Sequence, residues 1–278
     1  MDLFSKCFAR IDRAVAHSNN ISAIWNETDL GEFIETEVQV DNTGEGRLWL
    51  REVASVLPLT IEMELGEFLY QLRAALDGAI YACAVQDSGA DPPPRVSSLE
   101  FPICEKKEDW KKQTRKIAAL NLGRQRFIEL MQPFEEPDIE PALRIGNFNR
   151  ALRHLNDLAR LDRHRKLHGL CTAVVALKPL LRLPPGVSLH EMRVCETGNL
   201  TGEPLATFVL SGWKTGMTIS ANPNVDLNIS LQEIEPPCFS NDYLSDRLKS
   251  MVFATRMMIS TLKNNKWKEP EGRTLIVG

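Results

Sequence analysis

The chain has 278 residues, 43% hydrophobic and 25% charged, a composition that supports a full core and excludes a disordered protein. Its net charge of −4 says little alone, but it hides local patches of the opposite sign that bear on partners. The six cysteines are widely spaced with no C-x-x-C pair, which argues against a zinc cluster or a disulfide framework and for buried thiols.

The first predicted element is a helix over residues 2–18, ending in Ser18-Asn19-Asn20 and followed by a loop. Arg10 and Arg13 interrupt what would be the apolar region of a signal peptide, and no later run reaches membrane-spanning length. A cytoplasmic protein with no membrane contact is therefore expected, and the N-x-S/T triplets at Asn20, Asn26, Asn199 and Asn228 carry no weight. FIETEVQVD and RLWLREV then alternate as strands do, and DNTGEG between them predicts an antiparallel hairpin.

From Met63 to Val85 the apolar positions Leu65, Phe68, Leu69, Leu72, Leu76, Ile80 and Cys83 recur at helical spacing, and SGADPPP ends that helix. A basic, Trp-bearing helix follows over 107–119, a shorter one near 123–131, and a helix from Asn149, its expected cap, to about Thr172. AVVALKPLLRL, SLHEMRVCE, PLATFVLSG and VDLNISLQEIE read as strands separated by turn chemistry, forming an antiparallel sheet open to the early hairpin. Tyr243–Leu262 is a final helix. The expected class is α+β: a helical bundle packed with an antiparallel sheet whose strands flank it in sequence, as one domain over 1–278. The helical parts are about 1–28, 60–172 and 240–264, and the sheet parts about 32–56 and 173–236.

Charge inside the two long helices is the most informative pattern. Asp162 falls in the middle of the apolar face of Ala151, Leu155, Leu158 and Ala159, with Arg165 about 60° away. In the other helix Arg73 and Asp77 are four apart and can meet. Buried charges are tolerated when paired, so one reading is a reciprocal clamp in which Asp162 accepts from Arg73 and Asp77 from Arg165. The other reading is that the same four residues line an anion or catalytic pocket.

GEFLYQLRAALD, then Phe101-Pro102-Ile103, then Gln132-Pro133-Phe134, then LNDLARLDRHRKL resembles a family of uncharacterised bacterial proteins that pair an LRxALD helix with a later D-K/R-H-R helix. The resemblance covers about residues 60–170 and implies no activity. Arg163-His164-Arg165-Lys166-Leu167-His168 is also similar to the short Arg-to-His motif of HEPN-type ribonucleases, which are helical bundles. That resemblance implies metal-independent RNA cleavage by a homodimer, with Arg163 stabilising phosphate charge and His168 as acid or base.

His164 and His168 share a face, as helical zinc pairs do, but no third ligand is placed nearby, so no metal is expected and the pair joins a surface stripe with His154 and Asp157. Phosphate-loop, dinucleotide and nucleophile-elbow motifs are absent, and no cofactor is expected. Between Glu105 and Arg126 the bases Lys106, Lys107, Lys111, Lys112, Arg115, Lys116, Arg124 and Arg126 face only Glu105, Glu108 and Asp109. A second basic segment runs from Arg144 to Lys166. Side by side they would attract RNA or another polyanion, with Trp110 stacking on an unpaired base beside Lys106, Lys107, Lys111, Lys112, Arg115 and Lys116. The leading expectation is a binding protein of this kind; a HEPN-like ribonuclease and a non-catalytic protein-interaction module remain the alternatives.

Overall fold

A computed structural model describes residues 2–28, 34–53, 57–135, 148–164, 170–177, 179–194, 204–222, 225–231 and 243–264. The apolar stripe of the first helix, Phe4, Cys7, Ile11, Ala14, His17 and Ile21, runs straight through Ser18-Asn19-Asn20, so α1 spans Leu3–Glu27 rather than ending at 18. His17 is held there by Glu64, 2.6 Å from its Nδ1, and Asn20 donates to the same carboxylate at 3.2 Å. Side-chain partners keep these polar residues helical where local preference alone would make them a stop.

α2 spans Leu59–Ser88, and it buries more apolar residues than any other described helix of the helical unit. Gly89 ends it: its φ of 69° is the left-handed cap, and its N–H donates to Val85 O at 2.8 Å. α3 is Lys107–Gln113, continued as a 3-10 turn over Thr114–Ile117. α4 is Leu122–Leu130, with Asn121 as its cap accepting from the Arg124 N–H at 3.0 Å. α5 is Phe148–His164 and α6 is Leu244–Asn264.

The strands are β1 Ile34–Val40, β2 Glu45–Val53, β3 Leu170–Leu177, β4 Leu180–Arg182, β5 Ser188–Val194, β6 Ala206–Ser211, β7 Ser220–Asn222 and β8 Val225–Leu231. The early hairpin joins the later strands in a four-stranded antiparallel sheet of order β1-β2-β6-β5, and β3 pairs with β8 and β4 with β7. Its turn is set by Asp41, whose carboxylate accepts from the N–H groups of Thr43 and Glu45 at 2.8 and 3.0 Å. Leu48, Ala206, Phe208 and Leu210 are the core here, and Gly46 is required where the Phe208 ring crosses β2, since a Cβ would lie 2.1 Å from it.

Two expected boundaries are corrected. AVVALKPLLRL is not one strand: β3 and β4 lie on either side of Lys178-Pro179 and belong to different ladders, because proline cannot donate to a ladder. The helix expected to run to Thr172 is described as far as His164 and is over by Leu170, which pairs with Leu231. The β-branched run that follows finds its partner in β8, and that ladder overrides the helical periodicity.

The chain is thus α+β, and it divides into two compact units. One is drawn from Met1–Ser22, Thr60–His168 and Ser245–Gly278, the other from Ala23–Leu59 and Gly169–Leu244. The helices collect in the first and the strands in the second.

Candidate functional site

α3 is short and amphipathic. Its one buried residue, Trp110, anchors it, 8% exposed and edge-to-face with Phe134 at 5.9 Å, while Lys106, Lys107, Lys111, Lys112 and Arg115 are exposed. The indole is thus an anchor of the core and not the free stacking platform expected. Among the described residues Lys106, Lys111, Lys112 and Arg115 form no ion pair. Lys107 lies 5.8 Å over the Phe134 ring, and Lys116 is neutralised by Glu100 at 2.7 Å. The exposed acids Glu108 and Asp109 share the same helix.

Two of the bases counted with this patch do not belong to its free charge. Arg124 is 3% exposed and donates to Asp87 Oδ1 at 2.5 Å, to Gln86 Oε1 at 2.6 Å, and to the backbone oxygens of Cys83 and Leu262 at 3.2 and 3.0 Å. It ties the C-terminal part of α2 and the last described turn of α6 to the start of α4, with its positive charge where the helix dipoles favour a cation. Arg126 pairs with Glu129 at 2.6 Å. Between α3 and α4 lies a hollow of about 480 Å³ whose first wall is Trp110, Thr114 and Ile117. Leu122, Gly123 and the Arg126–Glu129 pair form the second.

Arg73 and Asp77 do meet, at 3.9 Å, and their common partner is the Phe101-Pro102-Ile103 segment. Asp77 accepts the Phe101 N–H at 2.9 Å, and Arg73 donates to the Phe101 carbonyl at 3.3 Å and lies 3.5 Å from Glu100. Burial raises the Asp77 carboxyl above its ordinary value against the pull of the Arg73 charge. The Asp162 side chain and Arg165 lie outside the described residues. Fully buried Gln132 completes the grip: it accepts from the Cys104 N–H at 2.8 Å and donates to Pro102 O at 3.0 Å. Asn149, expected to cap α5, instead donates to the carbonyls of Leu130 and Gln132 at 3.0 and 2.7 Å.

On α5, Arg150, Arg153, His154 and Asp157 follow one another at helical spacing and all are half-buried, so His154 and Asp157 are not the solvated edge expected. Burial drives the His154 ring down to about 3, helped by the charges of Arg247, Arg150 and Arg153, so it is neutral at ordinary pH. Burial pushes the Asp157 carboxyl up to about 7, with the Glu105 charge and hydrogen bond adding to it and Arg160 and Arg153 opposing. Glu105 leads into α3, so the two basic segments do touch, through a carboxyl pair that the sequence did not single out.

Arg163 and His164 are in the last turn of α5 with side chains outside the described residues, and His168 lies outside them altogether. The described thiols of Cys7, Cys83 and Cys104 are free and buried, raised by burial to about 11, 12 and 11, and none is poised as a nucleophile. Among the described residues no three His, Cys, Asp or Glu side chains are grouped to hold a metal, and no helix is long and apolar enough to cross a membrane. Comparison of the chain with protein-family models, with curated proteins and with solved structures finds no match.

Proposed function

We propose that the helical unit binds RNA or another polyanion in the cytoplasm, through the exposed cations of α3 and the turn that follows it. One observation carries this reading: Lys106, Lys111, Lys112 and Arg115 are all exposed and, among the described residues, none is spent on an ion pair. Exposed, unpaired cations attract phosphate by releasing its condensed counterions. The decisive experiment is retardation of labelled single-stranded RNA across a salt series, for the parent and for Lys111→Glu/Lys112→Glu/Arg115→Glu. Loss of three phosphate contacts lowers the slope of log K against log salt by about 2. An unchanged affinity and slope would sink the proposal.

A second reading, metal-independent ribonuclease action by a homodimer using Arg163 and His168, is favoured by the change from helix to strand between the described end of α5 and Leu170. In an unbroken helix the two residues would point about 140° apart. α5 is described as far as His164 and the chain is in a strand by Leu170, so the helix does not continue through Thr172 as expected. RNA cleavage in the presence of chelator that disappears in His168→Ala is the expected result of this reading; cleavage equal in both proteins would discard it.

A further inference from the structure

Resting on the polyanion reading, we propose that the hollow between α3 and α4 receives one unstacked nucleobase of a single-stranded polynucleotide, with the flanking phosphates on Lys111 and Arg115. The edge of Trp110 lines one wall of the hollow, and Leu122, 80% exposed at its edge, is an apolar group that a bound ring would take out of water. Its volume of about 480 Å³ falls within the roughly 300–1,000 Å³ of sites that take small ligands.

Charge placement selects the ligand. Each of two wall residues is followed in the chain by an exposed cation, Lys111 after Trp110 and Arg115 after Thr114, about 100–120° around the helical turn. The cations therefore stand at the rim and not inside. The opposite wall carries the Arg126–Glu129 pair, neutralised internally at 2.6 Å, which gives an inserted anionic head group no net charge to meet but offers the edge of a neutral base both a donor and an acceptor. A ligand with a flat neutral ring and negative charge one step away satisfies both walls. A fatty acid or a bare phosphate chain satisfies only one.

Gly123 offers a way to close the hollow without touching a charge. A Cβ there meets a single neighbour, Asn121 Oδ1 at 3.4 Å, so Gly123→Met grows into the open space. Leu122→Ser removes the exposed apolar edge and, being a surface change, leaves the fold alone. The full chain and both variants are titrated with a twelve-nucleotide single-stranded RNA and with inorganic polyphosphate of matched charge. The expected result is RNA binding weakened roughly 5- to 100-fold in Gly123→Met and less in Leu122→Ser, with polyphosphate binding unchanged in both. If both variants bind RNA as the parent does, while Lys111→Glu/Lys112→Glu/Arg115→Glu weakens RNA and polyphosphate alike, the base site is wrong and the charged face stands. If that triple variant leaves both ligands unaffected, the polyanion reading itself has failed.

Discussion

Arg115 and Arg124 stand nine residues apart in the same basic stretch and have opposite fates. Arg115 is exposed and, among the described residues, has no ion pair; Arg124 is 3% exposed, with Asp87, Gln86 and the ends of α2 and α6 around it. The difference lies in what the fold brings to each guanidinium. Arg124 meets a carboxylate, a side-chain amide and two backbone carbonyls, a setting in which a planar five-donor group replaces several waters at once. Arg115 follows a short helix held by one buried tryptophan and meets water. Summed charge over a window describes the second kind of residue and misplaces the first.

The sharpest way to break this comparison is to remove the buried guanidinium. Arg124→Met leaves the Asp87 carboxylate, 14% exposed, without its cation and removes the bonds to the Leu262 carbonyl, so a loss of about 3–5 kcal/mol is expected in urea unfolding. Arg124→Lys recovers little of it, because one ammonium cannot serve four acceptors arranged around a plane. A loss below about 1 kcal/mol for Arg124→Met would place this residue with the surface cations after all.

Next in size is Gln132→Leu. Gln132 is the neutral counterpart of Arg124, fully buried, and its loss leaves the Cys104 N–H and the Pro102 carbonyl without partners. A cost of about 2–3 kcal/mol is expected from those two groups. Gln132→Glu separates geometry from donor chemistry, since the carboxylate still accepts from Cys104 but no longer donates to Pro102 or Ile128. It should be as damaging as the leucine variant if both directions of bonding matter, and mild if only the acceptor does.

These residues also mark how far the sequence can be read. The LRxALD helix, the Phe101-Pro102-Ile103 segment and the Gln132-Pro133-Phe134 segment were legible as separate pieces at fixed spacing. Their physical connection is that Arg73, Asp77 and Gln132 each bond the backbone of the middle piece. The helices were legible from apolar period alone, and the strands from alternation and turn chemistry. What was not legible depends on distant partners: Arg124 bonds a carbonyl 138 residues away, and His17 bonds a carboxylate 47 away. The C-terminal end of α5 was misplaced for the same reason, since β8 decides where β3 begins.

The α5 pair supplies a smaller test, in pH rather than in sequence distance. Asp157, raised to about 7, keeps a proton in the folded chain that the unfolded chain releases above about 4, so its contribution is full at low pH and is lost as pH rises through 7. His154, lowered to about 3, refuses a proton that the unfolded chain binds below about 6.5, so its contribution is full at high pH and is lost as pH falls toward 3. Between about pH 4 and 6.5 the two proton differences have opposite sign and offset one another. Relative to the parent, Asp157→Asn should become more stable with rising pH across that window, and His154→Gln less stable. Denaturation midpoints measured from pH 4 to 7 check this, and parallel curves for parent and variants would mean that neither group titrates abnormally.

The smallest expected effect completes the comparison with Arg124. Lys111→Glu/Lys112→Glu/Arg115→Glu removes three exposed cations that hold nothing together, and its unfolding free energy should stay within about 0.5 kcal/mol of the parent. α3 does give a reason for a slight loss, since Lys111 and Lys112 occupy its last turn, where positive charge favours the helix dipole. Moving the same reversal to the first turn, as Lys106→Glu/Lys107→Glu, puts negative charge where that dipole prefers it and should offset the loss. If instead the triple variant unfolded as readily as Arg124→Met, these cations would be part of the scaffold, and a face that cannot be altered without unfolding the chain would no longer be evidence for a ligand.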